Sequence, residues 1–278
     1  MSRPTRTNAQ GMPGHGQADS LAQIVLLGHG KASQDTLSAN APPLMTRLEA
    51  DDVWFAYKDQ VVFEGLSLSV GRGLTFVVGE NGVGKTTLFR LILGQIRGSG
   101  SIRIDGEADS ASPIGYLPQR FALPTSLTPR EFVEYMAWVK GVERGLLAEV
   151  AEESLRLVNL SGRADNRIGT LSGGMMRRVG VAQSLAAGSD MVLLDEPTVG
   201  LDPIQRAEVR AVLKKLGESK TVLVSTNLMA DIVETDQVIV LGKGRAMFCG
   251  PAERMRAEFG SPGMALEDVF VAMHRQPK

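Results

Sequence analysis

Gly79-Glu80-Asn81-Gly82-Val83-Gly84-Lys85-Thr86-Thr87 stands between the apolar run Leu74–Val78 and a helical run ending near Leu93, and its reading decides the fold. Glycine, four residues, Gly-Lys and then a hydroxyl residue is the spacing of a phosphate loop that joins a buried strand to a helix. Gly79, Gly82 and Gly84 let the backbone wrap close enough for successive N–H groups and the helix N-terminus to face negative charge. Lys85 is long enough to reach β- and γ-phosphates, and the Thr86 hydroxyl is suited to ligate Mg²⁺. All nine residues, with Glu80, Asn81, Val83 and Thr87 among them, form the expected cradle.

Working outward, residues 53–57 and 61–70 alternate apolar and polar positions and predict half-buried strands, and 101–104 (SIRI) predicts another short one. The period changes at Thr128-Pro129-Arg130-Glu131, where Pro at the first helical position and a capping-box Glu predict a helix start. Leu146, Leu147, Val150, Leu157 and Val158 continue with helical spacing, so residues 128–160 read as a small helical subdomain. A helix is expected over Met175–Ala187, then the strand MVLLD to Asp195, a capped helix after Asp202-Pro203 and the strand TVLVST. The strands VIVL and RAMF follow around Gly242-Lys243-Gly244. Strands alternating with helices imply an α/β fold with a mainly parallel sheet covered on both faces, and an antiparallel edge near residues 47–70.

Composition narrows the function classes. The 30 Lys+Arg against 31 Asp+Glu leave a formal net charge of −1, which removes the basic footprint of a general nucleic-acid binder, so no nucleic-acid partner is expected. The single cysteine, Cys249, cannot form an internal disulfide and reads as a small core residue; a reducing, cytoplasmic setting is the expectation. No stretch approaches the roughly 18 consecutive apolar residues of a spanning helix, and the amino terminus lacks the apolar region of a secretory signal. Residues 1–45, rich in Gly, Ser, Ala, Asn, Gln and Pro, read as a flexible extension in which His15 and His29 are solvated. A targeting or docking arm is the alternative there.

A phosphate loop alone leaves kinases, GTPases and many ATPases open. Two further stretches narrow it. Leu171-Ser172-Gly173-Gly174-Met175 opens LSGGMMRR, and MVLLDEPTVGLDP places Asp195 and Glu196 at the end of a buried strand. A strand-end carboxylate pair is suited to reach Mg²⁺ (Asp195) and to polarise an attacking water (Glu196). A helix start at Ser172-Gly173-Gly174 is an anion site by its free N–H groups, and would serve equally as a plain N-cap. By order and spacing these motifs closely resemble the ATP-binding-cassette (ABC) ATPases over about residues 46–250.

The resemblance implies ATP and Mg²⁺ as ligands and carries several roles to this chain. Gln119, in Tyr116-Leu117-Pro118-Gln119, matches the glutamine that reaches Mg²⁺ and links the site to the transporter. Tyr57 matches the aromatic that stacks on adenine, although a half-buried strand tyrosine fits as well. Leu171–Met175 matches the signature that completes the site of a second cassette, and Asp202 matches the turn crossing that interface while also fitting an N-cap. Met175 stands where many members carry Gln. The division implied is an extension over 1–45, a cassette over 46–250 with its helical subdomain at about 120–172, and a helical tail over 251–278 containing LEDVFVAM.

By the same resemblance the protein is the ATP-hydrolysing subunit of an ABC transporter, working as a homodimer or heterodimer. It would sit against a separate polytopic membrane permease on the inner face of the membrane. The segment Tyr116–Thr128 with Glu131 resembles drug- or antibiotic-exporter cassettes most. One departure stands out: after TVLVST the family usually has a histidine, and here the residue is Asn227. Asn donates a neutral hydrogen bond but carries neither proton nor charge, so slower hydrolysis is expected. A non-transport ABC ATPase and a degenerate ATP-binding subunit of a heterodimer are the alternatives.

Overall fold

A computed structural model describes residues 47–105, 113–261 and 263–275. The extension expected over 1–45, with His15 and His29, lies outside them. The described residues open with two long antiparallel strands, β1 (Arg47–Tyr57) and β2 (Gln60–Val70), then enter the core through β3 (Gly73–Val78) and helix α1 (Lys85–Ile92). β4 (Ser99–Asp105) returns to pair with β1, giving a three-stranded antiparallel sheet in the order β2-β1-β4.

A short strand β5 (Gly115–Leu117) precedes α2 (Pro129–Val139) and α3 (Leu147–Leu157). α2 starts as its sequence dictates: the Thr128 Oγ1 accepts from Glu131 N at 3.2 Å, and Glu131 Oε2 accepts from Thr128 N at 2.9 Å. After α4 (Gly173–Leu185) come β6 (Met191–Asp195), α5 (Pro203–Gly217), β7 (Thr221–Thr226), β8 (Gln237–Gly242) and β9 (Arg245–Pro251). α6 (Ala252–Phe259) and α7 (Leu266–Arg275) close the described chain. The main sheet runs β5-β6-β7-β3-β8-β9, parallel except for β9 at its edge.

Its core divides by the two-residue period of a strand. Phe76, Val78, Val192, Leu194, Val222, Val224, Val238 and Val240 face one side, where α2–α5 cover them. Val77, Met191, Leu193, Leu223, Ile239 and Leu241 face the other, against α1 and the antiparallel sheet. Both faces are apolar, so β6 and β7 are buried along their whole length, as parallel strands between two layers must be.

The structure departs from the sequence reading in small ways. α4 begins at Gly173, two residues before the run expected over Met175–Ala187, and is capped at the helix start read at Ser172: the Ser172 Oγ accepts from Met175 N at 3.3 Å. β5 escaped the reading, since three residues are too few to show a period; α6 falls within the helical tail expected over 251–278 and has just two buried side chains, Ala252 and Met255. Cys249 is half-buried against the core beside the antiparallel sheet, and burial pushes its thiol up from the ordinary value. Among the described residues no helix is long and apolar enough to cross a membrane.

Candidate active site

β3 ends at Val78, and the chain turns into α1 through Gly79–Gly84. Two of these glycines are required by geometry. Gly84 has φ 113°, and a Cβ there would stand 2.7 Å from Val62 Cγ1 and 2.9 Å from Phe63 Cζ. A Cβ on Gly79 would stand 2.6 Å from Val83 Cγ1 and 2.9 Å from the Leu241 carbonyl oxygen. The loop is thus pressed between β8 and the β1–β2 hairpin, and only glycine fits. Lys85 is buried and its Nζ donates to the carbonyls of Gly79 at 2.8 Å and Glu80 at 3.1 Å. Of its three N–H donors one remains for an anion in the loop. Burial lowers the Lys85 pKa, opposed by the charges of Glu196 and Asp195.

The two carboxylates lie at the end of β6, beside that lysine. Asp195 is 1% exposed; its Oδ2 accepts from Thr86 Oγ1 at 2.7 Å and its Oδ1 from Ser225 Oγ. Glu196 adopts φ 49°, in the left-handed region that a side chain enters at a cost of about 1–3 kcal/mol. Its N–H is held by two acceptors on β7, Ser225 O at 3.1 Å and Ser225 Oγ at 2.9 Å. Its carboxylate accepts from Gln119 Nε2 at 2.7 Å. Burial, then the field of Asp195, raises the neighbouring Tyr116 phenol above its ordinary value.

Asn227 follows β7 and donates through Nδ2 to Asn81 Oδ1 at 3.2 Å, which brings the position expected to carry histidine onto the phosphate loop itself. Tyr57 ends β1, 41% exposed, with its ring edge-on to Phe55 at 4.8 Å between centroids. Lys85, Thr86, Gln119, Asp195, Glu196 and Asn227, scattered over the chain, thus meet around one loop.

Leu171–Met175 makes its contacts elsewhere. Leu171 is buried in the core, while Ser172 and Gly173 are exposed at the start of α4. A Cβ on Gly174 would stand 3.0 Å from Gln205 Cβ, so α4 and α5 start side by side. Asp202 caps α5, its Oδ1 accepting from Gln205 N at 2.9 Å. The signature and this turn therefore share one surface.

Several site residues were not singled out in the sequence. Ser225 donates to the Asp195 carboxylate and accepts from the Glu196 backbone N–H, and only the β6–β7 register, Asp195 opposite Ser225, brings it there. Thr198 Oγ1 donates to the buried Asp231 Oδ2 at 2.6 Å, tying the loop after Glu196 to the turn after Asn227. Arg177 lies over the Phe121 ring at 5.1 Å and donates to Val199 O at 3.2 Å. Burial lowers its pKa, and the Glu196 charge opposes this.

The hydroxyl and carboxylate oxygens of Thr86 and Asp195 are hard donors, adjacent to a phosphate cradle, and suit Mg²⁺. A glycine cradle, a buried lysine and a strand-end carboxylate pair together define a phosphate-loop nucleotide hydrolase. The particular family follows from comparison. The ABC transporter family profile matches residues 63–199. The linearmycin resistance ATP-binding protein LnrL of Bacillus subtilis (strain 168) is 30% identical over 223 residues, 77% of this chain and 72% of that protein. The uncharacterized ABC transporter ATP-binding protein YxlF of the same organism is 31% identical over 215 residues, 76% of this chain and 73% of that protein. A solved ATP-binding subunit of an ABC transporter superposes with a TM-score of 0.67 at 25% identity, covering 82% of this chain and 99% of its own. The chain belongs to the ABC transporter family, as an ATP-binding subunit that takes ATP with Mg²⁺ and hydrolyses it.

Proposed function

We propose that this subunit powers an exporter of drug-like or antibiotic-like compounds, as one of two cassettes seated under a separate polytopic permease on the cytoplasmic face of the membrane. The observation that carries the hydrolytic part is the contact of Gln119 Nε2 with Glu196 Oε2 beside the Thr86–Asp195 pair. The resistance function in the name of LnrL supports the export part.

In this reading the backbone N–H groups of Gly79–Thr87 and the ammonium of Lys85 hold the β- and γ-phosphates, with Tyr57 against the adenine. Thr86 and Asp195, with Gln119, would hold Mg²⁺, which when bound would supply positive charge to the phosphate oxygens. Glu196 accepts a hydrogen bond from the attacking water and takes its proton as the water oxygen bonds to the γ-phosphorus and the bond to the β–γ bridging oxygen breaks, giving ADP and inorganic phosphate. Gln119, already on Glu196, aims that carboxylate. Leu171–Met175 and Asp202, together on one surface, close over the ATP of the opposite cassette.

The test is steady-state Mg-ATP turnover across protein concentration, with Glu196→Gln alongside, and co-purification with a polytopic permease. Turnover that rises faster than linearly and stops in Glu196→Gln is the expected result. A second reading, a slow half-site paired with a different cassette, is favoured by Asn227, whose neutral amide gives one N–H to Asn81 and has no proton to exchange. Silence in the chain alone with activity gained in Asn227→His would select it.

A further inference from the structure

Gln119 and Glu196 lie on different segments, and the hydrogen bond between them holds only if both segments are placed independently. A second set of contacts places them. Phe121, two residues beyond Gln119, has its ring under the Arg177 guanidinium, with the guanidinium carbon 5.1 Å from the ring centroid. The same ring is pressed onto α4 one turn further along, where a Cβ on Gly180 would stand 2.6 Å from Phe121 Cζ. Arg177 Nη2 then donates to the carbonyl of Val199, three residues beyond Glu196. The contacts close a ring: Gln119, Phe121, Arg177, Val199, Glu196 and back to Gln119 through the 2.7 Å bond. Arg177 also lines, with Gln119, Phe121, Gly173, Val199 and Leu201, a cleft of about 420 Å³ that leads to this ring.

We propose that Arg177 is a positioning residue for hydrolysis: stacked on Phe121 and bonded to Val199 O, it fixes the segment carrying Gln119 against the segment leaving Glu196. The inference rests on the reading of Glu196 and Gln119 given above. The choice of arginine is physical. A planar guanidinium can stack on an aromatic face and donate in its own plane at the same time, which an ammonium cannot do. Arg177 also sits on the second turn of α4, whose first turn carries Gly173-Gly174, so the same helix roots both the signature and this ring.

The experiment is single-turnover hydrolysis of γ-labelled ATP with the full chain in excess, where slow chemistry is still measurable, together with the Kd for Mg-ATP. Arg177→Met and Phe121→Leu are each expected to slow the chemical step roughly tenfold, as sub-ångström misplacement of reacting groups does, with Kd changed less than about twofold. The double variant is expected to be no slower than the slower single one, because the two side chains act as one unit. A wild-type rate in either folded variant, a Kd shift as large as the rate change, or effects that multiply would overturn the proposal. Thermal unfolding checks each variant, and if Arg177→Met does not fold, Phe121→Leu decides by the same criteria. Glu196→Gln separates the two levels. If it hydrolyses like wild type, the reading of the site fails; if it stops while Arg177→Met is unaffected, only the role of Arg177 does.

Discussion

Asn227 donates its side-chain amide to Asn81 Oδ1 at 3.2 Å, joining the residue after β7 to the phosphate loop across 146 positions of sequence. Neither partner carries charge, so the contact holds the two segments together without placing a proton donor beside the γ-phosphate. Asn227→His is expected to raise single-turnover hydrolysis roughly tenfold or more, since imidazole adds acid–base capacity that an amide lacks. An unchanged rate would mean that a neutral donor suffices here.

Ser225 supports Asp195 and Glu196 together, so its removal should be felt twice. Ser225→Ala withdraws the hydroxyl donor to Asp195 Oδ1 and one of two acceptors for Glu196 N. A loss of about 1–3 kcal/mol in unfolding free energy is expected from the buried, under-satisfied carboxylate. Denaturant unfolding measures it, and turnover should fall in parallel because the left-handed Glu196 backbone loses an anchor. Stability within error of wild type would show that water replaces the hydroxyl.

The two inner glycines of the phosphate loop should respond differently to the same methyl group. Gly82 has φ 82° with no atom within 4 Å of a built Cβ, so Gly82→Ala meets backbone strain alone, about 1 kcal/mol. Gly84→Ala meets strain at φ 113° and collides with Val62 and Phe63, adding about 1–3 kcal/mol of overpacking. Gly84→Ala should therefore lower the melting temperature more and weaken ATP binding more. Equal effects would sink the steric account.

Lys140 gives a pH signature. The residue is half-buried, its Nζ donates to the Gln183 carbonyl at the end of α4, and desolvation brings its pKa down from 10.5 to about 8. Between pH 8 and 10.5 the unfolded chain holds a proton at this position that the folded chain has released, so stability rises with pH across that window. Below pH 8 both states are protonated and the folded one bears the cost of a buried charge. Lys140→Met should be most stabilising near neutral pH, with its advantage shrinking as pH rises toward 10.5. A pH-independent difference between the two chains would refute the buried-charge argument.

Much of the fold was legible because its signals are local. Thr128-Pro129-Arg130-Glu131 starts a helix by its own side chains, and the capping box forms as written. MVLLD and TVLVST are buried at every position because both faces of the sheet are covered, which the alternation of strands and helices implied. β5 stayed invisible: Gly115–Leu117 is too short for a period, and its pairing with Val192–Leu194 comes from chain brought in from afar.

The candidate site divides along the same line. The sequence by itself determined the loop Gly79–Thr87, the carboxylates at the end of β6, the caps at Ser172 and Asp202, and the Asn at position 227. Each of these is a matter of residue type and spacing along a few turns of chain. Only the tertiary structure decided which of them touch: Thr86 with Asp195, Gln119 with Glu196, Asn227 with Asn81, and Phe121, Arg177 and Val199 in one stack. Those contacts depend on strand register and on how α4 lies across the sheet, and both are set by packing summed over the two core layers, which no short window of sequence contains.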